Sequence, residues 1–201
     1  MITRTMTPLM TKVLCVYCSS SDCLDEKYYV AADTLGKGMV ARGWGLVYGG
    51  GHTGLMGQLS RAVKADGGRV VGVIPEFMKE KELAFDKADE MITVTTMRER
   101  KLAMETRADA FLALPGGWGT LEEILEIITL RQLDVLRKPC VLLNQEGFYD
   151  DLLHLFERMI AEHFTKPSSR HLFNVARTTE EALDLIEGAP TVAETKWFET
   201  R

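Results

Sequence analysis

The sequence has no apolar run that approaches the roughly 20 consecutive residues a membrane-spanning helix needs. Residues 1–12 also lack the apolar core of a secretory signal. Basic charge is not in excess. The 24 Lys and Arg are outnumbered by 29 Asp and Glu, giving a net charge of −5 with the two signs interspersed. That argues against a broad surface for nucleic acid or anionic lipid and leaves room for a local basic site. Cysteine is scarce: Cys15, Cys18, Cys23 and Cys140. Cys15 and Cys18 form a lone C-x-x-C, whereas a structural zinc site needs four ligands, so no metal is expected. Reduced thiols suit a cytoplasmic location. Repeats, low-complexity segments and linkers are missing too. What is there is 201 residues, 46% of them hydrophobic, enough for a sizeable core. One domain over 1–201 is expected, its core about 13–187 and its tails loosely held.

The apolar runs are short and alternate with amphipathic stretches. Val13 to Tyr17, Trp44 to Tyr48, Arg69 to Ile74, Met91 to Val94, Ala110 to Leu114, Cys140 to Leu143 and Phe173 to Ala176 read as strands. Helices are expected over Asp25 to Arg42 (closed by Gly43), Leu55 to Ala65, Met97 to Arg107, from the turn at Gly119 to Lys138-Pro139, Phe148 to His163 and Thr178 to Ile186. Glu76 to Glu90 lacks periodicity and reads as a long loop or short helical pieces. Strands of this length alternating with helices predict an α/β fold: a Rossmann-like, doubly wound parallel sheet with helices on both faces. Ligands of such sheets bind beyond the carboxyl ends of the strands.

Three features cluster at those ends. The first is Pro115-Gly116-Gly117-Trp118-Gly119-Thr120-Leu121-Glu122-Glu123, a strand end, a glycine turn and a helix start. Glycines let the turn be sharp, and the first N–H groups of a helix have no internal partner, so this is the physics of a phosphate cradle. Thr120 and Glu123 also fit a capping box, in which the pair would only close the helix end. Leu121, Ile124, Leu125 and Ile128 are expected to form the apolar face, with the Glu123 carboxylate off it. The second feature is the loop from Gly49 through Gly50, Gly51 and Gly54 to Gly57. It matches G-x-G-x-x-G, but it follows the second strand and lacks a well-placed acidic partner, so a dinucleotide reading is weak. Ser19 and Ser20 add small polar groups after the first strand. The third is Met97, Arg100, Lys101 and Met104 on one helical face, two cations among methionines. They either reach solvent along their alkyl stems or meet an anion or carboxylate.

Pro-Gly-Gly-x-Gly-Thr-x-x-Glu, an upstream Met-x-x-Arg-Lys and Gly-Gly-Gly-x-x-Gly-Leu-Met-Gly together resemble the LOG (LONELY GUY) family over about Val13 to Ile186. The resemblance implies a cytokinin riboside 5′-monophosphate phosphoribohydrolase. Such an enzyme cleaves the N-glycosidic bond of N6-substituted adenosine monophosphates to free base and ribose 5-phosphate. It implies Arg100 and Glu123 as catalytic residues; on the helical reading above, a bidentate contact between them would orient the carboxylate. Substrate contacts are expected from Ser19, Ser20, Gly50, Gly51, Glu82, Met97, Lys101, Pro115, Gly116, Gly117, Trp118, Gly119, Thr120, Leu121, Glu122 and Thr129. No cofactor is implied. A homodimer is expected, with higher homo-oligomers in some members. Arg98 stands where the family usually has His, which bears on the base pocket. A general AMP nucleosidase and a non-catalytic nucleotide-binding module are the alternatives.

Overall fold

The computed structural model of the protein describes residues 12–79 and 84–188. Seven strands appear in the described residues: β1 (Lys12–Tyr17), β2 (Trp44–Tyr48), β3 (Val70–Pro75), β4 (Glu90–Val94), β5 (Ala110–Ala113), β6 (Cys140–Leu143) and β7 (Asn174–Ala176). The helices are α1 (Glu26–Ala41), α2 (Gly54–Ala65), α3 (Glu76–Lys79), α4 (Met97–Arg107), α5 (Trp118–Gln132), α6 (Asp150–Ala161) and α7 (Thr179–Gly188). The strand order is β4-β3-β2-β1-β5-β6-β7, the parallel α/β fold expected. The chain divides into two compact units.

The first unit holds residues 12–15 and 20–108. Here β1 pairs with β2, β2 with β3 and β3 with β4, all parallel, in a register that sets Cys15 opposite Val47, Tyr48 opposite Gly72 and Gly72 opposite Met91. β2 and β3 are buried at every position, so both faces are covered and the strands read as continuous apolar runs. α1 starts at Asp25, whose carboxylate accepts from Lys27 N–H at 3.1 Å, and ends before Gly43 at φ +76°. Among the described residues, the stretch after β3 is helical only over Glu76–Lys79. It returns as Ala84, which bridges Gly51 antiparallel, and Phe85, whose N–H donates to Gly50 O at 3.1 Å. Pro75 is the last residue of β3, opposite Val94.

The second unit holds residues 16–19 and 109–188. β5, β6 and β7 pair in parallel, with Phe111 opposite Cys140 and Leu142 opposite Val175. The end of β1 joins them through Leu114 N–H, which donates to Tyr17 O at 3.0 Å. Tyr17 stacks on Phe111 with ring centroids 6.3 Å apart. α6 begins at Asp150 rather than Phe148, because Gln145–Gly147 forms a separate 3-10 turn with Glu146 at φ 49°. A second 3-10 turn, Pro167–His171, was not anticipated from the sequence.

Candidate active site

Arg100 projects from α4 in the first unit. That helix opens on a capping box: Thr96 Oγ1 accepts from Glu99 N–H at 3.2 Å and Glu99 Oε2 accepts from Thr96 N–H at 3.3 Å. Register follows from the box, and it buries Arg100 and Met104 while leaving Met97 exposed and Lys101 half-buried. The expected four-residue face is therefore only half inward. Arg100 is 7% exposed. Its Nε donates to Val73 O at 3.1 Å and its Nη2 to Gly49 O at 3.3 Å. A cation this buried is held by charge-assisted bonds to the ends of two neighbouring strands, and it does not snorkel. Arg98 is exposed on the first turn.

The Gly49 to Gly57 loop already has partners from its own unit. A Cβ on Gly49 would lie 2.0 Å from Arg100 Nη2. Gly50 has φ +83° and its carbonyl accepts from Phe85 N–H. At the start of α2 the Asp22 carboxylate accepts from Gly54 N–H at 2.7 Å. The helix N-terminus behind the G-x-G-x-x-G loop thus holds a carboxylate of the chain itself. Nothing in the spacing of Asp22 from Gly54 signals this. Ser20 is exposed. Glu82 lies outside the described residues.

The second unit carries the Pro115 to Glu123 stretch. Its helix, α5, begins at Trp118 with Gly117 as an extended N-cap that has no side-chain hydrogen bond. The capping box at Thr120 and Glu123 is not formed. Two residues, Trp118 and Gly119, enter the helix ahead of Thr120, so Thr120 is inside the first turn and 3% exposed. Gly116 packs against it: a Cβ there would lie 2.1 Å from Thr120 Oγ1. Gly117, Trp118 and Gly119 are exposed, Trp118 at 89%, and α5 opens there with no side-chain cap. Ser19, after β1, is half-buried and Pro115 buried.

Glu123 is 7% exposed and shares the buried face of α5 with Thr120, Ile124 and Ile127. This corrects the expected face, of which only Ile124 is fully buried. Leu121 is half-buried and Glu122 exposed. A carboxylate at an inward position one turn from a bare helix N-terminus is costly unless it is used or paired. Thr129 is not brought to that face. Six residues on, it lies about 120° around and roughly 9 Å along the helix from Glu123. It is exposed, its Oγ1 donates to Leu125 O at 2.7 Å, and it lines a cavity of about 280 Å³ with Leu125, Ile128, Phe156, Met159 and Phe173.

A family model described as "possible lysine decarboxylase" matches residues 56–186. The probable cytokinin riboside 5′-monophosphate phosphoribohydrolase LOGL6 of Oryza sativa subsp. japonica is 45% identical over 174 residues, 87% of this chain and 70% of that protein. The chain belongs to the LOG family. The cytokinin riboside 5′-monophosphate phosphoribohydrolase LOG5 of Arabidopsis thaliana, 42% identical over 191 residues, covers 92% of this LOG chain and is itself covered to 84%. Among solved structures, the molybdenum cofactor carrier protein of Chlamydomonas reinhardtii superposes with a TM-score of 0.68 at 23% identity, covering 88% of this chain and 96% of that one. The molybdenum cofactor binding protein of Rippkaea orientalis gives 0.67 at 23% identity, with 88% and 95% covered. At such identities the likeness is one of fold.

Proposed function

We propose that the protein hydrolyses the N-glycosidic bond of N6-substituted adenosine 5′-monophosphates; its LOG relatives are named cytokinin riboside 5′-monophosphate phosphoribohydrolases. The observation that carries this reading is the α5 start. The exposed residues Gly117, Trp118 and Gly119 open α5 with no side-chain cap, about one helical turn ahead of the buried Glu123. The turn binds the 5′-phosphate, where backbone donors and the helix dipole favour an anion. Binding the remote phosphate fixes the sugar for attack. The C1′–N9 bond breaks, its electron pair leaving with the base, through an oxocarbenium-like sugar. The Glu123 carboxylate stabilises that cation and receives a proton from the water that adds at C1′; the proton then passes to the departing base. Arg100, fixed by two main-chain carbonyls, supplies positive charge to the reaction. Ser19, Lys101 and the other substrate-contact residues implied by the family keep those roles in this proposal, as does a cytoplasmic homodimer.

The test is chromatographic. Isopentenyladenosine monophosphate, AMP and isopentenyladenosine are incubated with the protein and free base is measured. Base from the first alone, or mainly, is expected. Equal release from AMP would make the protein a general nucleosidase, and nucleotide binding without release would make it a carrier. Glu123→Ala should lower kcat by about 10²–10³-fold, the size of a lost electrostatic stabiliser, in a folded protein. Near-normal turnover in that variant would remove Glu123 from the mechanism.

A further inference from the structure

The main chain just before the α5 turn is clamped on both sides. Leu114 N–H donates to Tyr17 O at 3.0 Å, and Leu114 O accepts from the Tyr149 hydroxyl at 2.7 Å. Tyr149 is 2% exposed. Burial, and after it the Cys18 side chain, push its phenol above the usual range, so it stays protonated and donates. Tyr149 is itself fixed. Its N–H donates to Asn144 Oδ1 at 2.7 Å, Asn144 Nδ2 donates to Asp150 Oδ1 at 2.7 Å, and Asn144 N–H donates to Ala176 O at 2.7 Å. The Phe148 ring packs edge-on against it, centroids 4.9 Å apart. The chain bends sharply to deliver it: Glu146 and Gly147 have φ of 49° and 77°.

Beyond Leu114 the chain passes through Pro115, Gly116 and Gly117 before α5 begins. Pro115 has no N–H to donate, and Gly116 and Gly117 are the residues with the widest backbone freedom. The direction of the Gly117 to Thr120 N–H groups is therefore inherited from the last fixed peptide before them. We propose that Tyr149 is a positioning residue for the phosphate-binding turn: its hydroxyl fixes the Leu114 carbonyl and thereby aims the donors that open α5. This rests on the proposed function, in which that turn takes the 5′-phosphate. Tyr149 lies 26 residues beyond Glu123, on the far side of α5 and β6, and no motif marks it.

Tyr149→Phe fills the same space and removes only the oxygen. Amide hydrogen exchange over residues 115–121 should quicken in this variant while exchange elsewhere stays as in the wild type. The KM for the nucleotide monophosphate and the inhibition constant of ribose 5-phosphate should both rise about tenfold, the effect of one lost hydrogen bond, with kcat within about twofold. Unchanged exchange over 115–121 would overturn the proposal, as would a loss confined to kcat. Quickened exchange in a protein whose wild type cleaves no nucleotide would keep the anchor and remove the proposed function instead. Should Tyr149→Phe fail to fold, Asn144→Ala releases the Tyr149 main chain while keeping its hydroxyl. It is read by the same exchange and inhibition measurements, with the same outcomes expected.

Discussion

Gly49 has no side chain because the Arg100 guanidinium fills that space, 2.0 Å from where a Cβ would stand, with Met56 Sδ at 3.0 Å on another side. The guanidinium cannot simply swing away, since it would give up Val73 O and Gly49 O and remain a buried charge without them. Gly49→Ala should therefore fold, displace Arg100 and lower kcat/KM about as much as Arg100→Ala, roughly 10²-fold. Steady-state kinetics of both variants, with circular dichroism as the fold control, checks this; full activity in Gly49→Ala would show that the guanidinium position is dispensable. The sequence named Arg100 but left two destinies open for it, solvent or a buried partner. Only the capped start of α4 at Thr96 decides, because helix register turns Arg100 and Met104 inward together. Thr120 shows the opposite case. Thr-Leu-Glu-Glu satisfies the capping-box pattern, yet the extended Gly117 starts the helix earlier and puts Thr120 against Gly116. A pattern of four residues cannot see that the chain already enters the helix at a glycine three places upstream.

At the scale of elements, α1 and α2 cross where Gly36 meets Ala62. A Cβ on Gly36 would stand 2.7 Å from Ala62 Cβ and 3.2 Å from Leu59 O. Both neighbours are on helical backbone and cannot yield without moving α2, whose start carries the glycine loop. Gly36→Ala should cost about 1–3 kcal/mol in spite of alanine's better helix propensity. Urea denaturation measures it, and a stabilised variant would show that the crossing is loosely packed. The elements themselves were legible: seven apolar runs of strand length gave seven strands, because a two-sided parallel sheet admits apolar residues at nearly every position. The two 3-10 turns were not, since three to five residues of Gln-Glu-Gly or Pro-Ser-Ser-Arg-His carry no periodicity. One of them, with the Asn144 network, is what brings Tyr149 under Leu114.

Across the whole molecule, no helix among the described residues is long and apolar enough to span a membrane, and the net charge of −5 is spread over mixed signs. The thiols report the core. Cys15, Cys18 and Cys140 are buried and Cys23 is exposed. Burial pushes the Cys140 thiol up to about 12 against the partly opposing charge of Arg131, so it stays protonated and inert at neutral pH. Titration of the native protein with a thiol reagent at pH 8 should give one fast equivalent, from Cys23, and the other three only in denaturant. Fast reaction of more than one would show that β1 or β6 opens in solution. Composition and hydrophobic period by themselves determined the fold class, the strand count and the candidate glycine turn, because those depend on local spacing along the chain. The tertiary structure alone decided that Arg100 and Glu123 face inward, that Asp22 occupies the start of α2, and that Tyr149 anchors Leu114. Each joins groups the sequence keeps apart or turns a side chain about a helix, and a hydrogen bond between distant residues has no period from which to be read.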